Sequence, residues 1–569
     1  MTAKDTKKTT APRLTATDTT VDLLVVGAGT GMLAAIAGRE AGLETLIVES
    51  TEYVGGSTAL SGGAFWIPAN PILRENGVFD SPEVANTYLD AVVGDTAPVE
   101  RRRAYVQHGA ETVELMRRAT PMEFQWDEGY ADYHPEKPGG SAAGRTCESR
   151  PFDARKNLGE HRDWLRPTAL AAPVPMPITS PDYRLMNLMA KLPGKGVTRV
   201  MKRAIQGIGG LALGREYLAG GQAIAAGLFS GVLRAGIPVW LETKLVRLTV
   251  DGDRVTGAVL SQDGREVTVT ARRGVILSAG GFDQDLQLRR EVQSESLQQW
   301  THGAPGNDGS GIRAAVELGA DTDLLDQAWW FPSIAPVPGE APTVMLAERS
   351  LPGSFMVGSD GERFINESVD YMTFGQDWIE RENSGRSVGD MWIVFDQEYK
   401  NSYVFGTVSF PRMPLPKEWY EHGIAVDAES PSELAQKMGV PAHGFTRQLQ
   451  RFNEMASLGY DRDFGRGNSR YDNYYGDPTV SPNPNLRPLT GKLYAVRVVN
   501  SDLGTCGGLV ADERARVLRG DGSPIEGLYA IGNTAANAFG KVYPGAGATI
   551  GQGLVFGVIA ARDAASRRA

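Results

Sequence analysis

The stretch Val21-Asp-Leu-Leu-Val-Val-Gly-Ala-Gly-Thr-Gly31 runs from a short apolar segment into a glycine-rich turn, and this pattern is the clearest indication of the fold class. Its β-branched and leucine residues are typical of a buried strand. Residues 32–41 then have the composition of a helix, and Leu43-Glu-Thr-Leu-Ile-Val-Glu49 that of a second strand. A strand, a turn, a helix and a strand within about thirty residues predict two parallel strands joined by a right-handed crossover.

The glycine-rich turn has the small residues that a dinucleotide site needs. Gly27 and Gly29 let the backbone approach a pyrophosphate at the N-terminus of the following helix, where N–H groups favour an anion. Met32 stands where the usual fingerprint has its third glycine, so the motif is incomplete. Glu49 ends the second strand, and a carboxylate there accepts ribose hydroxyls and repels a 2′-phosphate. The alternative is a surface turn with a chance glutamate.

Two more apolar segments end in glycine and are predicted to be buried strands, residues 274–281 and residues 527–532. Between residues 336 and 488, Pro, Trp and Tyr become denser and the alternation of strand and helix patterns fades. We therefore predict an α/β fold, α+β overall, in which a discontinuous Rossmann-like domain contains an inserted catalytic domain. The predicted divisions are a disordered leader (1–20), the first part of the Rossmann-like domain (21–335), the catalytic domain (336–488) and the second part of the Rossmann-like domain (489–569).

Composition excludes several classes of protein. The chain has 569 residues, a net charge of −10 and 2 cysteines, Cys147 and Cys506. An acidic chain without a basic tail is a poor candidate for binding nucleic acid. Two cysteines are too few for a disulfide framework or a structural zinc site, and no metal is predicted. No apolar run reaches the length of a transmembrane helix and the N-terminal residues lack the apolar centre of a signal peptide, so a cytoplasmic location is predicted.

A second glycine-rich turn distinguishes an FAD site from an NAD site. Ser50-Thr-Glu-Tyr-Val-Gly-Gly-Ser-Thr-Ala-Leu-Ser-Gly-Gly63 follows Glu49 directly. A Gly-Gly-Ser-Thr turn in this place resembles the FAD-binding flavoproteins of the fumarate reductase type, in which hydroxyls and glycines surround the pyrophosphate and reach the flavin. Ala530-Ile-Gly-Asn-Thr534 resembles the second flavin contact of the same superfamily. The resemblance implies that the Rossmann-like domain binds FAD.

Three tyrosines stand in sequence contexts that point to chemistry. Tyr543 precedes Gly547 in a glycine-rich run, and a phenol hydroxyl and an unobstructed backbone N–H aimed at one point form an oxyanion hole. Such a hole polarises a ketone and acidifies the carbon beside it. Tyr371 lies in the predicted catalytic domain and Tyr133 in the segment 129–136. Taken singly, each of the three is more often a packing residue than a catalytic one.

Seven segments together resemble the 3-ketosteroid Δ1-dehydrogenase (3-oxosteroid 1-dehydrogenase) family. They are residues 61–68, 131–134, 325–329, 366–368, 502–508, 527–533 and 543–547. The likeness covers residues 20–150 and 216–569, while 155–215 form a basic amphipathic insertion that shorter members lack. The family pattern in the last segment is Tyr-Pro-Gly-Pro-Gly, and here Ala546 replaces the second proline.

The resemblance implies a role for each matching residue. The Tyr543 hydroxyl and the Gly547 N–H would bind the C3 carbonyl of a 3-ketosteroid. Tyr371 would remove the C2 proton, assisted by a hydrogen bond from Tyr133, and FAD would accept the C1 hydride. Because an unperturbed tyrosine has a pKa of about 10, such a base needs a partner or an apolar pocket. The implied FAD contacts are Gly27, Ala28, Gly29, Thr30, Gly31, Glu49, Ser50, Gly55, Gly56, Ser57, Thr58, Ser61, Gly62, Gly63, Val246, Ala279, Gly280, Gly532, Asn533, Gly547 and Ile550.

Residues 181–215 reverse the charge of the chain. They contain seven Lys and Arg residues against one acid, Asp182, interleaved with Leu, Met, Ile and Val. A basic amphipathic segment of this kind lies on an anionic membrane surface, so peripheral contact with the inner face of a membrane is one prediction. The alternatives are a solvated helical hairpin packed on the body and a dimer contact. Pro193-Gly194 interrupts the segment and predicts two helices in place of one.

Other functions stay open at the level of sequence. One is a flavin steroid dehydrogenase that acts at C4–C5, and another is a fumarate reductase-like oxidoreductase. The latter needs paired Arg and His to hold two carboxylates, and no such pair stands near Tyr371 or Tyr543 in the sequence. A third is a flavin-bearing electron-transfer or binding subunit without substrate chemistry. The electron acceptor is not specified by any motif, although a quinone would suit an enzyme that lies on a membrane.

Overall fold

The computed structural model describes residues 15–168 and 175–567. The strands in chain order are β1 (Thr19–Val26), β2 (Thr45–Val48), β3 (Ala64–Trp66), β4 (Phe124–Trp126), β5 (Thr146–Ser149), β6 (Phe152–Asp153), β7 (Tyr217–Leu218), β8 (Val239–Trp240), β9 (Thr243–Asp251), β10 (Arg254–Gln262), β11 (Arg265–Leu277), β12 (Thr322–Asp323), β13 (Ala328–Ile334), β14 (Thr343–Val344), β15 (Ser354–Val357), β16 (Met391–Asp396), β17 (Ala425–Ala428), β18 (Leu493–Thr505), β19 (Gly508–Leu509), β20 (Arg516–Leu518) and β21 (Pro524–Ala530).

The helices alternate with these strands, and two short 3-10 segments lie at Gly159–Trp164 and Gly532–Thr534. The α-helices are α1 (Gly31–Glu40), α2 (Gly56–Leu60), α3 (Pro71–Glu75), α4 (Pro82–Val93), α5 (Val99–Ala119), α6 (Ala154–Leu158), α7 (Ser180–Asn187), α8 (Pro193–Ala212), α9 (Gly220–Arg234), α10 (Leu286–Val292), α11 (Ser310–Val316), α12 (Tyr371–Asn383), α13 (Gln397–Ser402), α14 (Lys417–Glu421), α15 (Pro431–Met438), α16 (Ala442–Leu458), α17 (Arg470–Tyr474) and α18 (Ala548–Ser566).

The main sheet has eight strands, and β1 lies near its centre. The order is β20-β21-β10-β11-β1-β2-β8, with β9 paired to β10. β1 pairs in parallel with β2 and β11, and β11 pairs in parallel with β21. The register sets the last residues of these four strands side by side, Val26, Val48, Leu277 and Ala530. The Rossmann-like fold is therefore confirmed, and four turns leave the sheet at one edge.

The helix after β1 can be buried because most of its residues are small or apolar. Eight of the ten residues of α1 are buried, and α18 lies against it. Gly557 and Gly553 of α18 allow this approach, since a Cβ on Gly553 would lie 2.5 Å from the Thr30 hydroxyl. The predicted β1–α1–β2 unit is confirmed, with boundaries shifted by one or two residues from those expected.

A second, antiparallel sheet of six strands forms the other layer. Its order is β14-β13-β18-β16-β15, with β17 paired to β18. The strand β18 is 13 residues long and pairs with three others. The predicted inserted domain spans residues 336–488. β13 lies before that range and β18 lies after it, yet both strands belong to this second sheet. The inserted region therefore extends beyond both predicted borders.

The predicted leader needs a correction where it overlaps the described chain. Residues 1–14 lie outside the described residues. Ala16 is buried, and its N–H donates to Gln262 Oε1 at 2.8 Å. Asp18 Oδ1 accepts from the Thr268 N–H at 2.7 Å, and β1 begins at Thr19. Residues 15–20 are thus part of the folded chain. Ala16 and Asp18 bond to strands β10 and β11, and residues 19 and 20 belong to β1.

The basic segment forms two helices, α7 and α8, on either side of the predicted break at Pro193. Glycine allows α8 to pack closely on the segment that precedes α7. A Cβ on Gly207 would lie 1.8 Å from the Pro175 carbonyl oxygen. Residues 169–174, which belong to the predicted insertion 155–215, lie outside the described part. In the described ranges, no helix has the length and apolar character needed to cross a bilayer.

Candidate active site

Four glycine-containing turns meet at the carboxyl edge of the main sheet. They follow β1, β2, β11 and β21, and backbone hydrogen bonds join them. The Gly55 N–H donates to the Ala28 carbonyl at 2.8 Å, and the Ile531 N–H donates to the Leu277 carbonyl at 2.9 Å. In an open α/β sheet this edge is where a nucleotide binds. The predicted FAD residues of all four turns are thus brought together.

The turn after β1 has the close packing that only glycine permits. Gly27 has φ +109°, and a Cβ there would lie 2.1 Å from the Ser278 carbonyl oxygen. Gly29 and Gly56 differ, because their nearest protein atoms would lie 3.6 Å and 3.9 Å from a Cβ. A side chain at either position would make only ordinary van der Waals contacts, so the two glycines leave backbone exposed on this side of the turn. Such a cradle, at the N-terminus of α1, fits the pyrophosphate of FAD.

The carboxylate of Glu49 connects the first two turns. Its Oε2 accepts from the Ala28 N–H at 3.0 Å, and its Oε1 accepts from the Thr51 N–H and hydroxyl at 3.0 Å and 2.8 Å. Ser50 lies beside it, with its hydroxyl 3.4 Å from Oε1. The predicted ribose acid therefore also holds the glycine-rich turn in place, a role that the sequence does not reveal.

Arg166 reaches the same turn from a distant part of the chain. Its Nη2 donates to the Thr51 hydroxyl at 2.6 Å, and its guanidinium lies 5.7 Å from the centre of the Tyr53 ring. Its buried Nε has no hydrogen-bond partner among the described residues. Burial lowers the pKa of Arg166, while the charge of Glu49 acts in the opposite direction. A buried cation with an unpaired N–H beside the cradle suits an anionic cofactor, and no motif in the sequence marks it.

Ser57 of the second turn is held by a polar cluster. Its hydroxyl accepts from the Ala304 N–H and from Asn307 Nδ2, both at 2.9 Å. Asn307 Nδ2 also lies 3.1 Å from the carboxylate of Asp283. Burial and the nearby Asp502 raise the pKa of Asp283. Sequence reasoning missed Asp283 and Asn307, although the position of Asp283 just after Gly280-Gly281 was a usable signal.

The other predicted FAD residues occupy five places around this edge. Thr58, Ser61, Gly62 and Gly63 follow Ser57, and a Cβ on Gly63 would lie 2.0 Å from the Gly220 carbonyl carbon. The remaining positions lie in the turn after β11 and the turn after β21, in strand β9, and in the first turn of α18; they are Ala279 and Gly280, Gly532 and Asn533, Val246, and Ile550. Val246 is 42% exposed, on a strand whose first residue donates to the Glu49 carbonyl at 2.8 Å.

The three predicted catalytic tyrosines come together from separate parts of the chain. The ring centroids of Tyr133 and Tyr371 are 5.4 Å apart, and that of Tyr543 is 5.3 Å from each. The Tyr133 hydroxyl donates to the Tyr371 hydroxyl at 2.8 Å. All three side chains are buried. The arrangement sets a potential base, Tyr371, beside a hydroxyl donor and a second phenol.

Two hydrogen bonds hold the loop that carries Tyr543. The Tyr133 N–H donates to the Pro544 carbonyl at 3.1 Å, and the Thr549 hydroxyl donates to the Tyr543 hydroxyl at 3.0 Å. Gly547 has φ +94°, and a Cβ there would lie 2.3 Å from the Ala64 carbonyl oxygen. Among the described residues no acceptor is assigned to the Gly547 N–H. Gly547 also caps α18, so the helix dipole adds positive potential at this point.

Burial dominates the electrostatics of the tyrosines. It raises the pKa of Tyr371 well above its usual value, and the neighbouring Tyr543 and Tyr130 add to the effect. The hydrogen bond from Tyr133 lowers the pKa of Tyr371 but does not offset burial. The pKa of Tyr133 is raised for the same first reason. A phenolate here is a strong base, since a high pKa means high proton affinity.

Aromatic side chains surround the three phenols. Phe331 lies 4.7 Å from Tyr371, and Trp329 lies 4.8 Å from Tyr543, measured between ring centroids. Trp329 Nε1 donates to Asn533 Oδ1 at 3.0 Å, which links the tyrosines to the predicted FAD turn after β21. The predicted catalytic and cofactor residues therefore belong to one continuous site. Such a site can bind a flat apolar ring bearing one carbonyl group.

This chain is similar to known FAD-binding proteins and ketone dehydrogenases. Residues 22–550 match the family model for an FAD binding domain. A 3-oxosteroid 1-dehydrogenase from Mycolicibacterium smegmatis is 42% identical over 96% of this chain and 98% of its own. The crystal structure of 3-ketosteroid delta1-dehydrogenase from Sterolibacterium denitrificans in complex with 1,4-androstadiene-3,17-dione superposes with a TM-score of 0.90 at 37% identity, covering 96% of this chain and 99% of that one. A 4-oxocyclohexanecarboxylate 2-dehydrogenase from Sinomonas cyclohexanicum is 34% identical over 97% of this chain and 94% of its own.

Proposed function

Because the chain belongs to the FAD binding domain family and, within it, to the 3-oxosteroid 1-dehydrogenases, we propose that it introduces the C1–C2 double bond into 3-ketosteroids. The observation that carries the proposal is the contact of three buried phenols, in which the Tyr133 hydroxyl donates to Tyr371 at 2.8 Å beside Tyr543. The same contacts connect through Trp329 to the predicted FAD turn.

In the proposed reaction a proton leaves C2 and a hydride leaves C1, and different groups act at the two carbons. The Tyr543 hydroxyl and the Gly547 N–H hold the C3 carbonyl oxygen and stabilise the negative charge that develops on it. This polarisation acidifies C2, and Tyr371 removes the C2 proton while Tyr133 donates a hydrogen bond to the Tyr371 oxygen. FAD, when bound, accepts the hydride that leaves C1. One proton and one hydride leave the substrate, so one double bond forms.

The aromatic lining supports a steroid over a small dicarboxylate. The nearest rings to the phenols are Phe331, Trp329 and Tyr471, which offer apolar faces and no cation. Burying an unpaired carboxylate among them would be costly. The 34% identity to the cyclohexanone-type dehydrogenase makes a one-ring ketone the second candidate substrate. A 4-oxocyclohexanecarboxylate would bring a carboxylate for which these rings offer no cation.

The test is anaerobic reduction of the purified holoprotein. We expect 4-androstene-3,17-dione to bleach the flavin absorbance and to give the 1,4-diene as product. 4-Oxocyclohexanecarboxylate is the comparison, and faster bleaching by that compound would favour the second candidate. A protein that is yellow but is bleached by neither compound would instead be a flavin-bearing electron-transfer or binding subunit. Product analysis for a C4–C5 alkene from a 5α-reduced ketosteroid tests the remaining alternative.

We also infer that helix α8 rests on the inner face of a membrane. The side chains of Val197, Met201, Ile205 and Ile208 follow one face of the helix, and each is 42% to 66% exposed. The helix has four basic residues and no acidic one. An exposed apolar stripe flanked by cations, in a chain with net charge −10, fits an anionic lipid surface. A steroid and a quinone electron acceptor would both be available from such a surface.

Sedimentation with vesicles tests the membrane contact. We expect the holoprotein to pellet with phosphatidylglycerol vesicles and much less with phosphatidylcholine vesicles. The double change Met201→Ser and Ile205→Ser should release it without changing turnover. Val250→Ser is the matched control, since Val250 is 49% exposed on β9, away from α8. Unchanged pelleting of the α8 variant would mean that this face does not bind lipid, and a shift from dimer to monomer would identify it as a contact between copies.

A further inference from the structure

The hydroxyl of Ser57 has one proton, and among the described residues no acceptor is assigned to it. Its oxygen accepts two hydrogen bonds, from the Ala304 N–H and from Asn307 Nδ2, both at 2.9 Å. A hydroxyl has two lone pairs and one proton, so these two donors use its whole accepting capacity. The Ser57 proton therefore points to a group outside the described chain. Ser57 follows Gly56, where a Cβ would lie 3.9 Å from Gly29 Cα in the predicted FAD cradle.

The carboxyl group of Asp283 orients the amide of Asn307. Asn307 Nδ2 lies 3.1 Å and 3.2 Å from the two oxygens of Asp283. An amide NH2 has two protons, so one bonds to Asp283 and the other to Ser57. Turning this amide over would set its oxygen against a carboxylate oxygen, and neither atom can donate. Asp283 thus determines that Asn307 is a donor toward Ser57.

Backbone packs against this pair on two sides. Asp283 is fully buried and Asn307 is 5% exposed. A Cβ on Gly303 would lie 1.9 Å from Asp283 Oδ2, and a Cβ on Gly280 would lie 2.2 Å from Asn307 Oδ1. Gly280 is itself one of the predicted FAD contacts. The two side chains are therefore held against the turn that follows β11.

The arrangement works in either protonation state of Asp283. Burial, with the nearby Asp502, raises the pKa of Asp283 to about 7. The Thr301 hydroxyl lies 3.3 Å from Asp283 Oδ2 and donates to Asp502 at 2.7 Å. Because the Thr301 proton is used there, the Thr301 oxygen can accept a proton that Asp283 carries on Oδ2. Asp283 Oδ1 then still accepts from Asn307.

We propose that Asp283 is a positioning residue for FAD, which acts through Asn307 to turn the Ser57 hydroxyl so that it donates to an oxygen of the cofactor. The candidate acceptors are the phosphate and carbonyl oxygens of FAD, which accept hydrogen bonds and do not donate them. A hydroxyl that is already fixed as a donor binds such an oxygen without reorienting, so less free energy is lost on binding. The inference concerns cofactor binding, and it holds for any ketone substrate.

The test is a double-mutant cycle that is read by the release of FAD from the holoprotein. In Asp283→Asn the new amide can donate, which lets the Asn307 amide turn over and take the Ser57 proton. We expect FAD to leave about tenfold faster in this variant, followed as the rise of flavin fluorescence on dilution. Ser57→Ala should accelerate release to a similar degree. The double variant should release FAD no faster than Ser57→Ala alone, and effects that multiply would overturn the proposal, since Asp283 would then act without Ser57.

Asp285→Asn is the matched control for the loss of a nearby carboxylate. Asp285 caps α10 and bonds to Leu288 and Arg313, and asparagine is an equally good cap. This variant should release FAD at the rate of the unsubstituted protein. If Asp283→Asn does not fold, Asn307→Ala tests the same claim. It too should accelerate release, and it should add nothing to Ser57→Ala.

Two measurements on the holoprotein complete the test. A changed flavin reduction potential in Ser57→Ala assigns the acceptor to a carbonyl oxygen, and an unchanged potential with faster release assigns it to a phosphate; either result supports the proposal. A crystal structure of the holoprotein in which no FAD oxygen lies within about 3.5 Å of Ser57 Oγ overturns it.

Discussion

Tyr543 lies edge-on to the indole of Trp329, with ring centroids 4.8 Å apart and ring planes 79° apart. The same indole donates its N–H to Asn533 at 3.0 Å. One side chain thus fixes the distance between the phenol proposed to hold the ketone and a turn proposed to contact FAD. The carbon that loses hydride must lie between these two points.

Trp329→Phe should keep the ring and lose the hydrogen bond to Asn533. A neutral hydrogen bond contributes about 1 kcal/mol, so we expect kcat to fall by about fivefold. Steady-state kinetics under saturating acceptor measures the change. Trp330→Phe is the control, because the buried Trp330 Nε1 has no hydrogen-bond partner within the described ranges. Equal losses in both variants would argue against positioning through Asn533.

Tyr543→Phe removes the hydroxyl proposed to stabilise the developing oxyanion. Loss of one such donor lowers kcat by about a hundred- to a thousandfold. FAD should remain bound, because the phenol contacts Thr549 and the other tyrosines. The ratio of flavin to protein absorbance checks this point. Release of FAD from the variant would make Tyr543 a structural residue.

Tyr371→Phe leaves the C2 proton without its base. We expect the exchange of C2 hydrogen for deuterium to stop, even though the steroid still binds. Mass spectrometry of substrate recovered from heavy water measures the exchange, and Tyr460→Phe, at a tyrosine that is 53% exposed, serves as the control. Exchange near the rate of the unsubstituted protein would assign proton removal to another group.

Gly547→Ala introduces a Cβ into a position that is both strained and occupied. The residue has φ +94°, and the new atom would lie 2.3 Å from the Ala64 carbonyl oxygen. Strain and overpacking together should lower stability by about 1–3 kcal/mol and move the N–H proposed to bind the ketone. Thermal unfolding and kcat measure the two effects. Gly520→Ala, whose Cβ would have no atom within 4 Å, should change neither.

Asp127 gives the stability of the protein a dependence on pH. Burial, with repulsion from Glu148, raises the pKa of Asp127 from 3.8 to about 8. The folded chain therefore keeps a proton that the unfolded chain releases above the lower value. Its contribution to stability falls as pH rises from the unfolded pKa toward the folded one, by at most about 1.4 kcal/mol per pH unit.

Asp127→Asn should remove this dependence. The amide oxygen can still accept the hydrogen bond that Tyr474 donates to Asp127 at 2.9 Å. We expect the Tm of the variant to exceed that of the unsubstituted protein at pH 8 and the difference to shrink toward pH 4. A difference that stays constant over this interval would show that Asp127 does not titrate as stated.

Local pattern explains which parts of the fold could be predicted. The β1–α1–β2 unit is encoded within about thirty consecutive residues, and the strands that end at Leu277 and Ala530 show the same apolar run before glycine. The ends of the inserted region were harder to place. Residues 328–334 and 493–505 pair mainly with each other and with strands of the second sheet, and such long-range pairing leaves no local signal.

The same distinction applies to the candidate site. Tyr133, Tyr371, Tyr543 and Gly547 stand in segments that resemble a known family, so they could be proposed as a group from sequence. Arg166 could not, because no motif in the sequence marks it. It reaches the glycine-rich turn only in the folded protein, where its Nη2 donates to the hydroxyl of Thr51, 115 residues away.

The stacking of Arg184 on Tyr474, and of Tyr474 on Tyr130, sets a limit on how this protein can be engineered. Excising α7 and α8 to ease purification would also take away the guanidinium that covers the aromatic stack. A better-behaved catalyst for industrial steroid conversion is more readily obtained by replacing exposed side chains of α8, such as Met201 and Ile205, because Arg184 of α7 then keeps its place on Tyr474.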